Sequence, residues 1–483
     1  MLNAGVPAAD ALARFGQLFF QEQDISGATA AFRLAVALAP DNAVLWANYG
    51  TALDRAGAFR DAASCLEHSL ELSRRQPETW LLLGLVRKKL GDSKGCEAAY
   101  RIAIEQKPES SVVWQCLGLL YAETREYAQA IECFAAARKL DGTNAVIAAN
   151  LGKLYYQLGR IPEACEAYDR AVVLDASNTH YRQMSRKAGF IRDVLNGGSV
   201  ETALATYEHS VARTADRATG ESSDSDRQKL FQTAFGILSG FGHLGAADRV
   251  GKKYLDLWPN SPVLDYLMKA IAGEPSLDRS PPGYIVEYFD SFAEGFDAKL
   301  AGVLGYEVPE KLCSLVREAT PANRKYDALD AGCGTGLCGP LLRPMANQLI
   351  GVDLSPKMLE QAAKRGVYDQ LVCEELAAFL NRSPGHFDLA VAADVVVYMG
   401  DLAPLFGAAA VAIRAGGLLA FSTESWTGET YRLQPSGRFT HSAEYVRAVA
   451  APAFAEHTCV ETTLRLEAGA RLPGYLFVFR RRS

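Results

Sequence analysis

The sequence lacks several features that would restrict its function to one class. Its ten cysteines are scattered, with no C-x-x-C pair and no cysteine–histidine cluster at zinc-ligand spacing, so no metal site is predicted. It has no run of eighteen apolar residues and no leader-like segment at its start, which predicts a cytoplasmic protein without a membrane span. A net charge of -6 offers no positive field to a phosphate backbone, so nucleic acid is not expected as a partner.

A period of 34 residues runs through the first third of the chain. It is marked by glycines at the same position of each unit, namely Gly16, Gly50, Gly84, Gly118 and Gly152. A small residue follows each glycine after twelve positions, and a large residue follows after sixteen: Phe32, Leu66, Tyr100, Phe134 and Tyr168. This pattern resembles the tetratricopeptide repeat, a helix-turn-helix unit in which small residues allow two helices to approach closely. We predict five repeats in residues 1–178.

The resemblance implies a superhelix whose concave face binds a protein or peptide partner. By family analogy, the candidate groove residues are Asn48, Gln115, Asn150, Lys153 and Tyr156. Asn48 and Asn150 occupy equivalent repeat positions, where an amide could bond to a bound backbone, but the intervening repeats carry Leu82 and Cys116 there. Solvated or structural helix positions are the alternative interpretation of all five.

The 483 residues are too many for one hydrophobic core, and composition changes along the chain predict where it divides. Residues 179–273 keep a helical pattern but lose the repeat register, which predicts a degenerate repeat-like extension. Residues 274–283 contain three prolines and a glycine without an apolar period, which predicts a linker. Residues 284–483 would then form the last domain.

Short apolar runs alternate with amphipathic helices in residues 284–483, the pattern of a parallel sheet covered by helices on both faces. The predicted strands are 326–331, 348–353, 370–373, 387–393 and 417–423. Residues 457–466 and 475–481 are predicted to pair as a final hairpin, with Gly469, Pro473 and Gly474 in its turn. We therefore expect a multidomain chain, in which an all-α repeat superhelix precedes an α/β Rossmann-like sheet of seven strands with an antiparallel terminal hairpin.

A glycine-rich loop, LDAGCGTGLCG at residues 329–339, follows the first predicted strand and can be interpreted in two registers. The G-x-G-x-x-G spacing is that of dinucleotide-binding loops, whereas an acidic residue two positions before the first glycine is typical of methyltransferases that use S-adenosylmethionine. Either ligand would bring a negative group to the helix N-terminus. Asp353, at the end of the second predicted strand, would suit a ribose diol in both cases.

Three further stretches resemble a class I S-adenosylmethionine-dependent methyltransferase, and bacterial chains with repeats before such a domain show the same order. They are residues 351–366, 387–402 and 414–424, at the spacing of successive family segments. Residues 288–300 are similar to the aromatic entry segment of the family, and Tyr431 to Val446 form a candidate substrate-side cap. The resemblance implies S-adenosylmethionine as the cofactor and makes Gly339 a helix residue rather than the third glycine of a dinucleotide loop.

The resemblance also implies roles for individual residues. The methionine part of the cofactor would be bordered by Asp330, Gly332, Cys333, Gly334 and Gly336, and the ribose by Asp353. The adenine and the inner wall would be contacted by Leu354, Met358, Glu375, Leu376, Ala393 and Asp394. Core packing is the alternative for Leu354, Met358 and Leu376. Phe289, Phe292 and Phe296 are either core residues or a lid over the cofactor.

Methyl transfer needs a general base only where the acceptor arrives protonated, and the candidates near the predicted site are His441, Tyr398, Asp394 and Glu424. The leading hypothesis is a methyltransferase whose repeats recruit or orient a protein or peptide substrate. A small-molecule or natural-product methyltransferase is the alternative, with repeats that bind a partner or form a homodimer. A cofactor-binding scaffold without turnover is the alternative from another class.

Overall fold

A computed structural model describes residues 5–212, 223–274, 277–291, 293–299, 306–321, 324–467 and 470–483. The chain forms two compact units, Met1–Ala188 and Gly189–Ser483. Helices of the first unit are α1 (Gly5–Gln21), α2 (Ile25–Leu38), α3 (Ala43–Arg55), α4 (Phe59–Leu72), α5 (Pro77–Lys89), α6 (Ser93–Gln106), α7 (Ser111–Glu123), α8 (Tyr127–Leu140), α9 (Ala145–Gln157) and α10 (Ile161–Leu174). They pack as successive antiparallel pairs, which confirms the predicted repeat array.

One contact recurs within each helix pair of the first unit. The repeat glycine of the first helix faces the large residue of the second helix, so a Cβ atom placed on Gly84 would lie 2.3 Å from the Tyr100 ring. A Cβ on Gly16 would lie 2.7 Å from Phe32, and one on Gly118 would lie 3.1 Å from Phe134. The glycines are therefore required by close helix packing rather than by a turn conformation.

The tryptophans add a second recurring contact. Trp46, Trp80 and Trp114 each donate the indole Nε1–H to a backbone carbonyl six residues earlier, at N–O distances of 2.7, 3.0 and 3.0 Å. These carbonyls lie in the loops that precede each first helix. The indoles thus satisfy loop backbone groups and fix where each repeat begins.

Helices continue beyond the fifth repeat. They are α11 (Thr179–Leu195), which spans the junction of the two units, then α12 (Val200–Ala212), α13 (Asp224–Gly240), α14 (Leu244–Leu257) and α15 (Pro262–Ala272). In the second unit, Phe231 of α13 packs against Tyr254 and Trp258 at the end of α14, with ring centroids 6.3 and 5.8 Å away. This extension therefore has an aromatic core that the 34-residue pattern does not contain.

The segment predicted as a linker is hydrogen-bonded within the second unit over its described part, residues 277–283. The Gly400 amide donates to the Asp278 carbonyl at 2.7 Å, and the Ser280 amide donates to the Tyr398 carbonyl at 2.8 Å. The Ser280 hydroxyl also donates to the Tyr266 hydroxyl of α15 at 2.8 Å. Proline lacks a donor but keeps a fixed backbone conformation, so this composition fits an ordered extended segment as well as a linker.

A single sheet forms the centre of the second unit. Its strands are β1 (Tyr326–Ala331), β2 (Ala346–Asp353), β3 (Gln370–Cys373), β4 (Phe387–Ala392), β5 (Ile413–Ser425), β6 (Tyr431–Leu433), β7 (Phe439–His441), β8 (Phe454–Glu467) and β9 (Ala470–Arg481). The order β3-β2-β1-β4-β5 is parallel; β9 pairs antiparallel with β5, and β8 pairs antiparallel with β9. The predicted α/β sheet with its terminal antiparallel hairpin is confirmed.

Helices cover both faces of this sheet. They are α16 (Pro282–Asp290), α17 (Phe296–Lys299), α18 (Val308–Glu318), α19 (Gly339–Leu342), α20 (Pro356–Ala363), α21 (Leu376–Asn381), α22 (Ala403–Ala412) and α23 (Ala443–Ala450). On one face Leu312 of α18 packs near Ala328 of β1, and on the other Phe406 of α22 packs near Leu329. Alternate residues of β1 thus point into separate cores, as expected for a strand buried on both sides.

Two details differ from the predicted sheet. The stretch from Tyr431 to Val446 adds the short antiparallel pair β6–β7, which joins the end of β5 through a parallel pairing with β7. Pro473 and Gly474 lie within β9 rather than in the hairpin turn, while Gly469 falls outside the described residues. The register shifts between Thr463 and Arg465, opposite Pro473, and such an irregularity accommodates a residue that has no backbone donor.

Candidate functional site

The glycine loop follows β1, and three of its glycines have a left-handed backbone conformation. Gly332, Gly334 and Gly336 have φ angles of 65°, 53° and 83°, a region that L side chains rarely adopt. A Cβ on Gly332 would lie 2.4 Å from Val395, which follows β4. Gly339 begins α19, in agreement with the register that places it in a helix.

Asp353 holds this loop against the end of β2. One carboxylate oxygen accepts the Gly334 amide at 2.9 Å, and the other accepts the Ser355 amide at 2.8 Å. Ser355 in turn caps α20 by accepting the Met358 amide, as its sequence position predicts. Burial raises the pKa of Asp353, which these backbone amides oppose. Asp353 therefore lines the cavity with its orientation fixed by two amide donors.

Asp330 lies at the end of β1 and is buried, with a side chain that also lines the cavity. Its carboxylate accepts the Tyr368 hydroxyl at 2.6 Å. Burial raises the pKa of Asp330 to about 7, and the hydrogen bond from Tyr368 acts in the opposite direction. A cationic ligand group beside Asp330 would stabilise the ionised carboxylate.

The predicted adenine-side residues surround the same cavity. Those that line it are Leu354, Met358, Glu375, Leu376 and Ala393, together with Cys333 from the loop. The Glu375 carboxylate accepts the Ala378 amide at 2.8 Å and caps α21, so its orientation is set by that helix. Gly336 is not among the lining residues, because it faces Tyr368 and Arg365 instead. Its role is to shape the loop.

The aromatic entry segment lies over the cavity. Phe289 of α16 and Phe296 of α17 both line it, with ring centroids 6.0 Å apart, while Phe292 falls outside the described residues. Asp290 accepts the Ser355 hydroxyl at 2.6 Å, so the end of α16 is attached to the start of α20.

A second carboxylate attaches the following turn of this segment. Asp297 accepts the Thr335 hydroxyl and the Arg365 guanidinium, each at 2.5 Å. Thr335 belongs to the glycine loop, and the Arg365 Nε–H donates to its carbonyl at 2.6 Å. Asp290 and Asp297 thus attach residues 282–299 to the start of α20 and to the glycine loop.

The far end of the cavity contains a polar group of side chains from β5, β8 and the β6–β7 turn. Glu424 is buried and accepts Arg465 at 2.7 Å and Arg438 at 3.1 Å. Arg438 also donates to the Tyr398 hydroxyl at 3.1 Å. Asp394, at a φ angle of 56°, accepts the Ser422 hydroxyl at 2.9 Å and lies 3.4 Å from Arg465.

Of the four candidate bases, Tyr398 and Asp394 line the cavity, whereas His441 and the doubly paired Glu424 do not. The His441 ring is buried with Nε2 2.8 Å from the Met399 carbonyl and 3.2 Å from the Gly400 carbonyl. Burial lowers the pKa of His441 to about 4, and Nδ1 has no hydrogen-bond partner among the described residues. His441 is therefore neutral, and its ring contacts the backbone of Met399 and Gly400, which follow β4.

Several lining residues were not predicted from the sequence. They are Arg438 and Arg465 at the far end, Tyr288 and Tyr306 on the aromatic wall, and Asp278 with Arg279 from the supposed linker. The cavity has a volume of about 390 Å³. Arg438 lies in the stretch identified as a candidate cap, which could have indicated it as a site residue. Nothing in the sequence of the terminal hairpin indicated Arg465.

The predicted groove residues of the first unit are partly accessible. Lys153 is exposed, whereas Asn48, Gln115, Asn150 and Tyr156 are half-buried. The Tyr156 hydroxyl is buried without a hydrogen-bond partner among the described residues, and its ring packs beside Tyr168. Tyr156 is therefore mainly a packing residue at the end of α9.

Comparison with known proteins matches both units. A family model described as a methyltransferase domain matches residues 329–421, and one described as a tetratricopeptide repeat matches residues 117–179. The chain thus contains a class I methyltransferase domain preceded by tetratricopeptide repeats. This match, together with the glycine loop and its two acidic residues, indicates S-adenosylmethionine as the cofactor.

Individual relatives align over part of the chain. A ubiquinone biosynthesis O-methyltransferase from Ralstonia nicotianae is 32% identical over 125 residues, 24% of this chain and 49% of the relative. An 18S rRNA (guanine-N(7))-methyltransferase from Bos taurus is 30% identical over 79 residues, 16% of this chain and 28% of the relative. The chain therefore spans half or less of the length of these two curated relatives.

Among solved structures, N-methyltransferase NodS from Bradyrhizobium japonicum, in complex with S-adenosyl-L-homocysteine, is 17% identical. The alignment covers 41% of this chain and 99% of NodS, with a TM-score of 0.34. Separately, none of the helices within the described ranges combines the length and apolar character needed to cross a membrane.

Proposed function

We propose that this chain is an S-adenosylmethionine-dependent methyltransferase that acts on a small acceptor inside the cavity described above. The observation that carries the proposal is the convergence of Asp330, Asp353 and the left-handed glycines on one enclosed space. The cofactor supplies a methyl group already activated by a sulfonium charge. Asp330 would bind its ammonium group, and Asp353 would accept both ribose hydroxyls.

The adenine would lie between Leu354, Met358 and Leu376, whose side chains line the cavity beyond Asp353. All three apolar residues follow the end of β2 or β3, the edge where ligands of parallel sheets bind. Glu375, held by its capping bond, would present backbone groups to the adenine edge. The Phe289 and Phe296 rings would exclude water from the reacting atoms, which an in-line displacement requires.

The acceptor would lie at the far end, beside Asp394 and Tyr398. Asp394 is held in a left-handed conformation and by Ser422, so its carboxylate has a fixed direction. Should the acceptor arrive protonated, Asp394 is the side chain that we propose as the proton acceptor. Among the described residues the Tyr398 hydroxyl accepts one hydrogen bond, from Arg438, which orients it.

A small acceptor is favoured because the entry segment is attached at two of its acidic residues. With Asp290 on Ser355 and Asp297 on Thr335, residues 282–299 leave little room for a folded protein surface to reach Asp394. The names of the relatives include both an rRNA methyltransferase and a ubiquinone biosynthesis enzyme, so they do not select an acceptor class.

A protein acceptor remains the second candidate, favoured by the repeat array. The solvent-exposed side chains at equivalent positions of the first helices include Val44, Val112 and Val146, which an extended peptide could cover. We propose that the array binds a protein or peptide partner, either to present a substrate side chain or to place the enzyme near its small substrate.

Calorimetry with S-adenosylhomocysteine tests cofactor binding. The wild-type chain should bind it, Asp353→Ala should lose about 100-fold in affinity, and Glu360→Ala, an exposed position on α20, should bind as the wild type. Equal binding by Asp353→Ala would contradict the assigned site.

Incubation of a cell lysate with methyl-tritiated S-adenosylmethionine and the full chain tests the acceptor class. Label in the small-molecule fraction that disappears with Asp353→Ala would support a small acceptor. Label confined to protein bands would support the second candidate instead, and no label above the Asp353→Ala background would favour a cofactor-binding scaffold.

A further inference from the structure

We propose that the acceptor is an organic anion whose anionic oxygen binds the guanidinium of Arg438. This inference rests on the proposed function, because it assigns the substrate class of the same cavity. It concerns the part of the cavity that contains Arg438, Arg465 and Asp394. Arg438 itself lies in the turn between β6 and β7.

Arg438 is held in place by the hairpin that carries it. The Gln434 amide donates to the Arg438 carbonyl at 2.8 Å, closing the turn between β6 and β7. The neighbouring Gly437 has a φ angle of 79°, and its carbonyl accepts the Tyr266 hydroxyl of α15 at 3.0 Å. The turn is thus fixed from both sides, so the direction of the Arg438 side chain is determined before any ligand binds.

The guanidinium of Arg438 retains donors for a ligand. It lines the cavity with 21% of its side chain exposed, and its hydrogen bonds among the described residues go to Glu424 and to the Tyr398 hydroxyl. A guanidinium carries five N–H groups in a planar fork that matches two oxygens of a carboxylate. Two of these donors have partners, and the cavity is where the others can find one.

The charged side chains around Arg438 form one connected group. Glu424 is shared, because its Oε1 lies 3.1 Å from Arg438 and 2.7 Å from Arg465. Asp394 provides the second negative charge, 3.4 Å from Arg465. Within this group two guanidiniums and two carboxylates balance, and further carboxylates line the rest of the cavity. A bound methyl donor adds a sulfonium, so an anionic acceptor would be attracted by that charge and by the guanidinium of Arg438 rather than by the net charge of the lining.

The walls beside Arg438 are aromatic. Phe289 lies edge to face with Tyr398 at 5.6 Å and with Tyr288 at 5.3 Å. The Arg438 guanidinium lies 5.5 Å from the centre of the Tyr398 ring. A planar, apolar body with an anionic oxygen at one end would contact the rings along its length and Arg438 at its end. An aromatic carboxylate has this shape.

Paired probes test the proposal on the full chain saturated with S-adenosylhomocysteine. Benzoate and benzamide have the same shape, and 4-hydroxybenzoate with 4-hydroxybenzamide forms a second pair. We expect each acid to bind the wild-type chain at least about tenfold more tightly than its amide, measured by calorimetry. Arg438→Gln should reduce this preference to less than about twofold, whereas Arg438→Lys should retain part of it.

Arg432→Gln is the matched control, since Arg432 lies on the same hairpin but is exposed and outside the cavity. It should behave as the wild type. Acids that bind the wild type no better than their amides, or a preference unchanged in Arg438→Gln, would overturn the proposal. If Arg438→Gln no longer binds S-adenosylhomocysteine, Arg438→Lys alone decides, and a complete loss of preference for acids there would also overturn it. Failure of the wild type to bind S-adenosylhomocysteine would instead refute the proposed function.

Discussion

The repeat array contains the same side-chain contact several times, whereas the contacts in the cavity of the second unit each occur once. In the array, the same glycine faces a large side chain in all five repeats, from Gly16 and Phe32 to Gly152 and Tyr168. In the cavity, the lining residues do not repeat: Phe289 comes from α16, Gly332 from the loop after β1 and Arg465 from β8. Repetition makes the array tolerant, because neighbouring repeats carry equivalent contacts. The cavity has no equivalent contacts, so single substitutions there should have larger effects on stability and binding than single substitutions in the array.

Gly332→Ala should have the largest effect. Alanine at a φ angle of 65° costs about 1–2 kcal/mol, and its Cβ would lie 2.4 Å from Val395, which must move away from the cavity. We expect the free energy of unfolding of the second unit to fall by about 3 kcal/mol, and the affinity for S-adenosylhomocysteine to fall by about 100-fold. Urea unfolding and calorimetry measure the two quantities.

Gly366→Ala is the control that shows the effect of backbone strain without a steric clash. Gly366 has a φ angle of 64°, but no atom lies within 4 Å of the position of an added Cβ. This variant should lose about 1 kcal/mol of stability and keep its affinity for S-adenosylhomocysteine. Comparable affinities of the Gly332→Ala and wild-type chains would show that the loop does not need the close approach to Val395.

Gly84→Ala applies the same change to the array, with a smaller expected effect. The added Cβ would lie 2.3 and 2.5 Å from two atoms of the Tyr100 ring, so helices α5 and α6 must separate. Alanine also favours a helix by about 1 kcal/mol relative to glycine, which offsets part of this cost. We expect a net loss of about 2 kcal/mol, visible as reduced hydrogen-exchange protection of α5 and α6.

Gly118→Ala is the control at the equivalent position of the next repeat. Its Cβ would lie 3.1 Å from Phe134, a distance that a small displacement of the ring can accommodate. Protection of α7 and α8 should change by less than about 1 kcal/mol. Equal losses in the two variants would mean that the spacing of the helix pairs, rather than the individual ring contact, sets the stability of a repeat.

The same contrast explains what the sequence could predict. A contact between residues sixteen positions apart, repeated with a fixed period, appears directly in the sequence, as Gly84 and Tyr100 show. The positions of Asp330 and Asp353 could also be predicted from the sequence, because each lies at the end of a predicted strand and parallel strands end at one edge of the sheet. Local patterns and topology together were therefore sufficient for the repeat array and the parallel sheet, and they place Asp330 and Asp353 at one edge of that sheet.

The far end of the cavity was not predictable in this way. Arg438 and Arg465 meet at Glu424 from segments that share no local pattern, and the direction of Arg465 depends on a register shift in β8. His441 shows the reverse case. Its place in the candidate cap suggested a base, but side-chain direction within β7 decides, and its ring faces the carbonyls of Met399 and Gly400.

The pH dependence of binding gives a smaller predicted change in affinity than Gly332→Ala and tests whether Asp330 receives the ammonium group of the cofactor. In the free chain burial raises the pKa of Asp330 to about 7, so the carboxyl is largely protonated at pH 6 and largely ionised at pH 8. Only the ionised form attracts a cation. The affinity for S-adenosylhomocysteine should therefore fall by about tenfold from pH 8 to pH 6.

The direction of this pH dependence follows from the protonation of Asp330 in the folded and unfolded chain. A carboxyl whose pKa in the folded chain exceeds its unfolded value of 3.8 destabilises the fold as pH rises from about 4 to about 7, and a bound ammonium group removes that cost. Calorimetry across this range should give a flat profile for Asp330→Asn and for 5′-methylthioadenosine, which lacks the ammonium group. Tyr368→Phe should shift the wild-type profile to higher pH, because the hydroxyl that stabilises the ionised carboxylate is lost. A profile for S-adenosylhomocysteine as flat as that of 5′-methylthioadenosine would place the ammonium group away from Asp330.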